Sequence, residues 1–343
     1  MQRCGAKAQA AAPKCDDWPA AAEAGSPVRP LLGAWSEFGD LLPSARTAGI
    51  GALELRRRRA EAEDGIARPA FRAQDAGLLA DGLHYEVRIA ECNALATRTD
   101  EPHDFCNAWV WLRHPLLKRS MNARQAADIR VAGPKQRTRG QCALTHFDEA
   151  GAIVWLTGPA LLRHWDAHDW SALFVREQAA WGSRIAITVI GHALLEHAWR
   201  GSALPVAKAL AVQVPPQALA RQRIRPGAIV ARWPRAEAAV AAAIADARVL
   251  ADPQELRPLP LPASRAGTRA ARRRRSCARQ RVSARCGRAA GIRNRSVSTR
   301  DDGWRELSGR LFGISCRTSG FPRRRADRPR PRQRAHAVEV RHP

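Results

Sequence analysis

Basic charge is concentrated at one end of this 343-residue chain, and that limits how much of it can fold. From Ser264 to Pro343 there are 24 arginines, no lysine and five acids, so this stretch holds +19 of the formal +25. It contains only 11 residues of the Val, Ile, Leu, Met, Phe, Trp and Tyr types. That apolar surface is too small to offset the ~1–2 kcal/mol per residue that ordering a chain costs. Residues 263–343 are therefore predicted to form a disordered Arg-rich tail. Arg, Ala, Gly, Pro and Ser are what GC-rich DNA encodes in nearly any frame, so the chain after about Leu261 reads first as frame-slipped. The alternatives are a solvated linker and a native arm that binds nucleic acid by releasing counterions from phosphates. Aromatic residues able to stack on bases are limited there to Trp304, Phe312 and Phe321.

The first 263 residues carry only +6 and resemble an ordinary globular protein in composition. Of the eight cysteines, Cys4, Cys15, Cys92, Cys106 and Cys142 lie outside the tail, an odd number with no CxxC spacing. The start of the chain has no apolar core of a signal peptide, and no stretch of about 18 apolar residues is present to span a membrane. Thiols packed as small hydrophobes in a reducing cytoplasm are the expectation, with no membrane partner.

Residues 1–66 are Ala-, Pro- and charge-rich and are expected to be poorly ordered or partly helical. Within them Leu31–Leu42 reads as a short amphipathic piece and "ELRRRRAEAED" as a solvated helical or linker face. Residues 67–262 are expected to make a single globular domain. "LHYEVRI" is compatible with helix or strand. Helices are predicted over His103–Arg113 and Leu116–Ile129, in "PALLRHW", "DWSALFVREQAAW", "HALLEHAW" and "RAEAAVAAAIADARVL". "RIAITVI" and "LPVAKALAVQVP" read as strands. "CALTHFDEAGAIVWL" reads as two β-rich runs around Asp148–Gly151, a hairpin signal. Interleaved helices and strands with one tight antiparallel turn predict an α+β fold, helix-rich with a small mixed sheet.

The helix "HDFCNAWVWLRHP" carries the first chemical signal. At 100° per residue, Phe105, Ala108, Trp109 and Leu112 form one apolar face while His103, Asn107 and Val110 share the other. A helix apolar almost all round is buried, so its polar residues need partners; an unpaired buried polar group costs ~1–3 kcal/mol. The second signal is "GHALLEH". Gly191 permits a close backbone turn, His192 then falls in a helical first turn, and Glu196 lies four residues on, on the same face. A helix N-terminus disfavours imidazolium, so His192 is predicted to be neutral near pH 7. No HExxH, GxGxxG, GxxxxGK[ST] or GxSxG occurs, which removes the commonest zincin, nucleotide-binding and serine-hydrolase patterns.

The blocks "TRTDEPHDFCNAWVWLRHPLLKRSMNARQA", "RGQCALTHFDEAGAIVWL", "IGHALLEHA" and "DPQELRPLPL", in this order over about residues 69–261, resemble the bacterial domain-of-unknown-function family numbered 3025. The resemblance implies that the HD…N helix, the Asp148-Glu149 segment and the GHALLE segment belong to one domain, and assigns no roles. Cys106 stands where a larger apolar residue is expected of such a helix.

Three functions stand at this point. The first is a binding or regulatory module with a polar pocket lined by His103, Asn107 and His192, its tryptophans building an apolar groove, and with Arg98 and Asp148 as further binding candidates. The second is a hydrolase using His103, Asp104, His192 and Glu196, with a divalent metal on His103 and His192. It requires the two rings to lie well within ~12 Å of each other, so that they reach one reacting group. The third is a nucleic-acid binder acting through the tail, if that tail is native. Resequencing the gene around the codon for Leu261 checks the tail directly: a single-base correction that restores an apolar, patterned C-terminus is the expected outcome, and an unaltered frame would retain the basic arm.

Overall fold

Three runs, Ala152–Leu156, Ile185–Val189 and Ala207–Val214, are so rich in Val, Ile, Leu, Trp and Ala that neither face of a sheet built from them can be left in water. Such strands need cover on both sides. The computed structural model, which describes residues 29–38, 49–99, 101–200, 206–225 and 227–261 together with Gly313 and Ile314, places them at the centre of the sheet.

In chain order the elements are α1 (Arg29–Ala34), α2 (Gly49–Asp64), β1 (Ala70–Ala73), α3 (Ala76–Leu79), α4 (Tyr85–Cys92), β2 (Ala94–Thr97), α5 (Pro102–Arg113), α6 (Pro115–Ala132), α7 (Arg139–Ala150) and β3 (Gly151–Thr157). There follow α8 (Pro159–Asp166), β4 (Ile185–Val189), α9 (His192–Trp199), β5 (Val206–Val214), α10 (Pro216–Ala220), β6 (Ile224–Arg225), β7 (Ile229–Val230), α11 (Pro234–Ala245), β8 (Arg257–Pro260) and β9 (Gly313–Ile314). The main sheet runs β6-β7-β4-β3-β5-β8, with β9 also against β5. β3 is antiparallel to β4 and parallel to β5, so the sheet is mixed and the fold is α+β, as the sequence implies. β1 and β2 form a separate parallel pair. Every residue of β3 and β4 is buried. Thr188, the one polar residue of β4, accepts from Trp155 Nε1 at 2.9 Å and donates to the Val230 carbonyl at 3.0 Å.

One expectation is overturned. No hairpin turns at Asp148–Gly151: the run before it is the helix α7, and only Gly151–Thr157 is strand. Thr138 and Gln141 make a reciprocal capping box at the start of α7, and Gln141, Leu144 and Phe147 are buried at helical spacing. The apolar density of this run mimicked a strand, whereas its period is helical. The tight hairpin of the sheet is instead β6–β7, where Ile224 pairs with Val230. "LHYEVRI" is the helix α4, its start capped by His84, whose Nδ1 accepts from the Glu86 amide at 3.2 Å. "DWSALFVREQAAW" forms two short pieces, a π-helical turn at Ala172–Arg176 and a 3₁₀ turn at Gln178–Ala180.

The core extends N-terminal to the expected domain start at residue 67. Leu31, Leu32, Trp35, Phe38 and Leu53 belong to the same buried cluster as the sheet. Phe38 stacks on Trp109 with centroids 5.8 Å apart, and the Arg113 guanidinium lies 3.6 Å from the centroid of Trp35 while donating to the Ala34 carbonyl. The remaining residues of 1–66 and of 263–343 lie outside the described residues, and with them the expectations made for those segments. Among the described residues no helix is long and apolar enough to cross a membrane.

At the junction of α7, β3, β4 and α9 main chain lies directly against main chain. The amides of Ile190 and Gly191 both donate to the Gly151 carbonyl, at 2.9 and 2.8 Å. A Cβ on Gly191 would stand 2.5 Å from Ala150 Cα and 2.5 Å from the Gly151 nitrogen, both backbone atoms with no room to give. Gly191→Ala is therefore expected to destabilise the protein by ~1–3 kcal/mol, the usual range for overpacking. The melting temperature should fall several degrees at the ~2–4 °C per kcal/mol typical of this size. An unchanged melting temperature would contradict the contact.

Candidate functional site

Two helix starts meet at the end of a third helix. α5 opens with Pro102, whose missing N–H is no loss at a first helical position, and this sets His103 in the first turn. α9 opens at His192, directly after Gly191. α7 ends at Ala150, so Asp148 and Glu149 occupy its last turn. Because Gly191 lies against Ala150 and Gly151, His192 is delivered beside that turn.

The His103 and His192 rings have centroids 4.5 Å apart at 74°, and their Nε2 atoms are 3.0 Å apart. Glu149 Oε2 stands 3.4 Å from His192 Nε2 and 4.0 Å from His103 Nε2. These three ligand atoms all lie within 4.8 Å of one another. On the other side of His103, Nδ1 is 2.7 Å from Glu196 Oε2, and Glu196 Oε1 accepts from Arg200 at 2.8 Å. A carboxylate can only accept, so a neutral His103 donates from Nδ1 and turns its Nε2 lone pair towards His192 and Glu149.

The two imidazoles differ electrostatically. His192 is almost fully buried, and burial, aided by the nearby Lys118 and His103 charges, lowers its pKa to about 4, so it is neutral at pH 7. The hydrogen bond to Glu196 raises the His103 pKa against the opposing effect of burial, with Glu149 and Asp104 adding to the rise. The same bond lowers the pKa of Glu196. Burial raises that of Glu149, with Asp148 and Glu196 contributing. Glu149 nevertheless keeps 45% of its side chain in solvent and His103 keeps 32%, so the cluster is reached from outside.

The other candidates are distributed around this cluster. Asp104 holds Arg98 through both carboxylate oxygens, at 3.0 and 2.8 Å, as well as the Arg98 amide, and reaches the cluster only through its charge on His103. Asn107, one turn beyond His103, donates to Tyr85 Oη at 2.9 Å and accepts from Lys118 Nζ at 2.8 Å. Lys118 is ion-paired with Asp148, whose Oδ2 is 3.9 Å from His192 Nδ1. Asn107 thus reaches His192 through Lys118 and Asp148. Burial alone would raise the Asp148 pKa, but Lys118 and His192 more than offset it and the net direction is down.

Two participants escaped sequence reasoning. Glu149 was read as a turn residue, and its ligand geometry follows only from α7 being a helix. Lys118, Asn122 and Gln125 are all buried at i, i+4 and i+7 on α6, an inward polar stripe that polarity alone reads as a solvated face. They surround Glu86, whose carboxylate accepts from Asn122 at 2.6 Å and Gln125 at 3.3 Å. Glu86, Lys118, Asn122 and Asp148, together with the apolar Ile89, Trp111 and Met121, line one small pocket of about 10 Å³, room for about one water.

The geometry defines an α+β protein with a solvent-reached His–His–Glu cluster seated on the ends of three helices. The family model described as "Protein of unknown function (DUF3025)" matches residues 70–265, and the chain belongs to this family. No match was found among curated proteins, and none among solved structures.

Burial, with the Asp148 charge adding, moves the Glu86 carboxyl from 4.5 up to about 7. Below pH 4.5 the group is protonated in both the folded and the unfolded chain. As the pH rises towards 7 the unfolded chain releases the proton first, so the stability contributed at low pH is progressively lost, by up to about 3 kcal/mol. In Glu86→Gln this loss should vanish: its unfolding free energy, measured by urea titration from pH 4 to 8, should gain on that of the unsubstituted protein as pH rises, and parallel profiles would refute the assignment.

Proposed function

We propose that the protein binds one divalent metal ion of the zinc type through His103 Nε2, His192 Nε2 and Glu149, and that it is a hydrolase using a metal-bound water. The observation that carries this is the convergence of three ligand atoms from three different helices within 4.8 Å, with Glu196 behind His103. Two imidazoles and one carboxylate are the donor set of catalytic zinc sites, which keep the fourth position for water. A carboxylate on the far nitrogen of a ligating histidine fixes its tautomer and raises its basicity, the usual outer support of such ligands. In such a site the metal lowers the pKa of its water to ~7, giving a hydroxide nucleophile at neutral pH. Access through the half-exposed Glu149 suits a substrate that approaches from solvent.

A binding module with a tryptophan-lined groove has less behind it. Among the described residues Trp35, Trp109, Trp111, Trp155, Trp165, Trp181, Trp199 and Trp233 are all buried and serve the core. A nucleic-acid role rests on the tail, outside the described residues.

Metal analysis of the purified full chain, followed by zinc titration of the chelator-treated protein, provides the test. About one zinc per chain is expected, with affinity at least ~10-fold lower in His103→Ala, His192→Ala and Glu149→Ala. Hydrolysis of a p-nitrophenyl ester should disappear with chelator and return with zinc. Equal metal content in all four proteins, none included, overturns the metal centre; zinc binding without any such hydrolysis overturns the hydrolase assignment.

A further inference from the structure

We infer that the substrate of the proposed centre is an anion, an ester bearing a carboxylate or phosphate group near the bond that is cut, and that Arg98 is the specificity residue that receives this group. The inference deepens the hydrolase reading and rests on it, naming the substrate class for the same site.

The acids around the cluster come in pairs whose cation is outermost. Asp104, the neighbour of His103 in the chain, binds the Arg98 guanidinium with both oxygens, and 49% of the Arg98 side chain is exposed against 14% of Asp104. Glu196, on His103 Nδ1, binds Arg200, and here the exposures are 36% for the arginine and 14% for the acid. In both pairs the carboxylate lies deeper than its guanidinium. Asp148 is paired with the buried Lys118. The outward acid of the cluster is Glu149, and as a metal ligand it has its charge taken up by the cation. A molecule arriving from solvent therefore meets guanidinium before carboxylate.

Arg98 is built to receive an oxyanion. Its Nε and Nη2 donate to Asp104, and its backbone amide donates there as well, so the residue is clamped by side chain and main chain to the first turn of α5. Nη1 has no hydrogen bond among the described residues and stays available as a donor. The hydrogen bond to Asp104 raises the Arg98 pKa against burial, and the charges of Glu101 and Glu196 add to the rise; the guanidinium is thus always charged and lies within electrostatic reach of the carboxylate behind His103. An exposed ion pair alone contributes little to stability. A clamped guanidinium with a spare donor, beside three converging ligand atoms, has a use in binding: it loses little freedom when it takes a ligand, and carboxylate and phosphate are the groups its planar fork fits. In the reaction, water adds to the ester carbonyl and the acyl–oxygen bond breaks to release an acid and an alcohol. The oxyanion on Arg98 is a separate, unreacting group of the acid part, which orients the ester over the centre.

Hydrolysis of mono-p-nitrophenyl glutarate, whose acid part carries a carboxylate, is compared with that of p-nitrophenyl acetate, which carries none, using the zinc-loaded full chain. kcat/KM should favour the glutarate ester by ~10-fold or more, the worth of one hydrogen bond to a charged group. Arg98→Gln should bring that ratio towards one, chiefly by raising KM for the glutarate ester. Inorganic phosphate and free glutarate should both inhibit, and the stronger inhibitor identifies the oxyanion preferred. Equal kcat/KM for the two esters, or a preference that Arg98→Gln leaves intact, overturns the inference and leaves the hydrolase standing. Cleavage of neither ester means that the hydrolase reading has failed; calorimetric titration of the purified full chain with inorganic phosphate then decides on Arg98. Phosphate binding that is lost in Arg98→Gln upholds its role as an anion receiver, and no binding, or binding that persists, overturns it. Should Arg98→Gln fail to fold, Arg98→Lys replaces it, because an ammonium can keep the ion pair with Asp104 but lacks the planar fork: the ratio should again fall, and an unchanged ratio again overturns the inference.

Discussion

The candidate site depends on one backbone contact. The Gly151 carbonyl receives the amides of both Ile190 and Gly191, and no side chain fits between Gly191 and the Ala150–Gly151 backbone. This closes the gap between the end of α7 and the start of α9 to bare main chain. Glu149 and His192, 43 residues apart in sequence, then have no choice but to be neighbours. α5 completes the set, because its first turn packs over the same junction and brings His103 from the opposite side. Three helix ends, each ordinary by itself, become a site because two glycines allow a separation that any other residue would widen.

Around that junction the protein encloses buried and half-buried polar groups. Lys118, Asp148, Asn107 and Tyr85 form one linked network, and Glu86 with Asn122 and Gln125 forms a second beside it. Each buried polar group here is costly unless satisfied. The residues at stake lie on α4, α5, α6 and α7, so the cost of misplacing any of these helices is electrostatic as well as apolar. The network therefore links the surroundings of His192 to α4 and α6, which carry no residue of the His–His–Glu cluster.

Much of this was legible in the chain. The helical period of "HDFCNAWVWLRH" places His103 and Asn107 on one face, and "GHALLEH" places His192 and Glu196 one turn apart after a strand. The structure joins the two pairs, with Glu196 on His103 across the helices instead of on its own neighbour His192. Glu149 was hidden because a short run of Ala, Leu, Phe and Thr before Asp148-Glu149-Ala150-Gly151 has the apolar density of a strand, and the capping pair Thr138 and Gln141 that marks a helix lies ten residues earlier. Lys118 was hidden for a different reason: a lysine is read as solvent-facing unless its partner is known, and Asp148 is 30 residues away. Leu31, Trp35 and Phe38 could be recognised as amphipathic but not as core, because the surfaces they cover, Trp109 and Arg113, come from a helix far along the chain.

By itself the sequence determined the periodic elements, the α+β class, the glycine at the start of α9 and the neutral character expected of a histidine at a helix N-terminus, whereas the burial that lowers the His192 pKa came only with the tertiary structure. The former depend on neighbours within a turn or two, where spacing and side-chain type set the outcome. Only the tertiary structure decided which imidazole meets which carboxylate, which nitrogen faces the cluster, and that Lys118 and Glu86 lie inside. Those are contacts between residues tens of positions apart, and their distances come from how helices and sheet pack, a property that no local pattern carries.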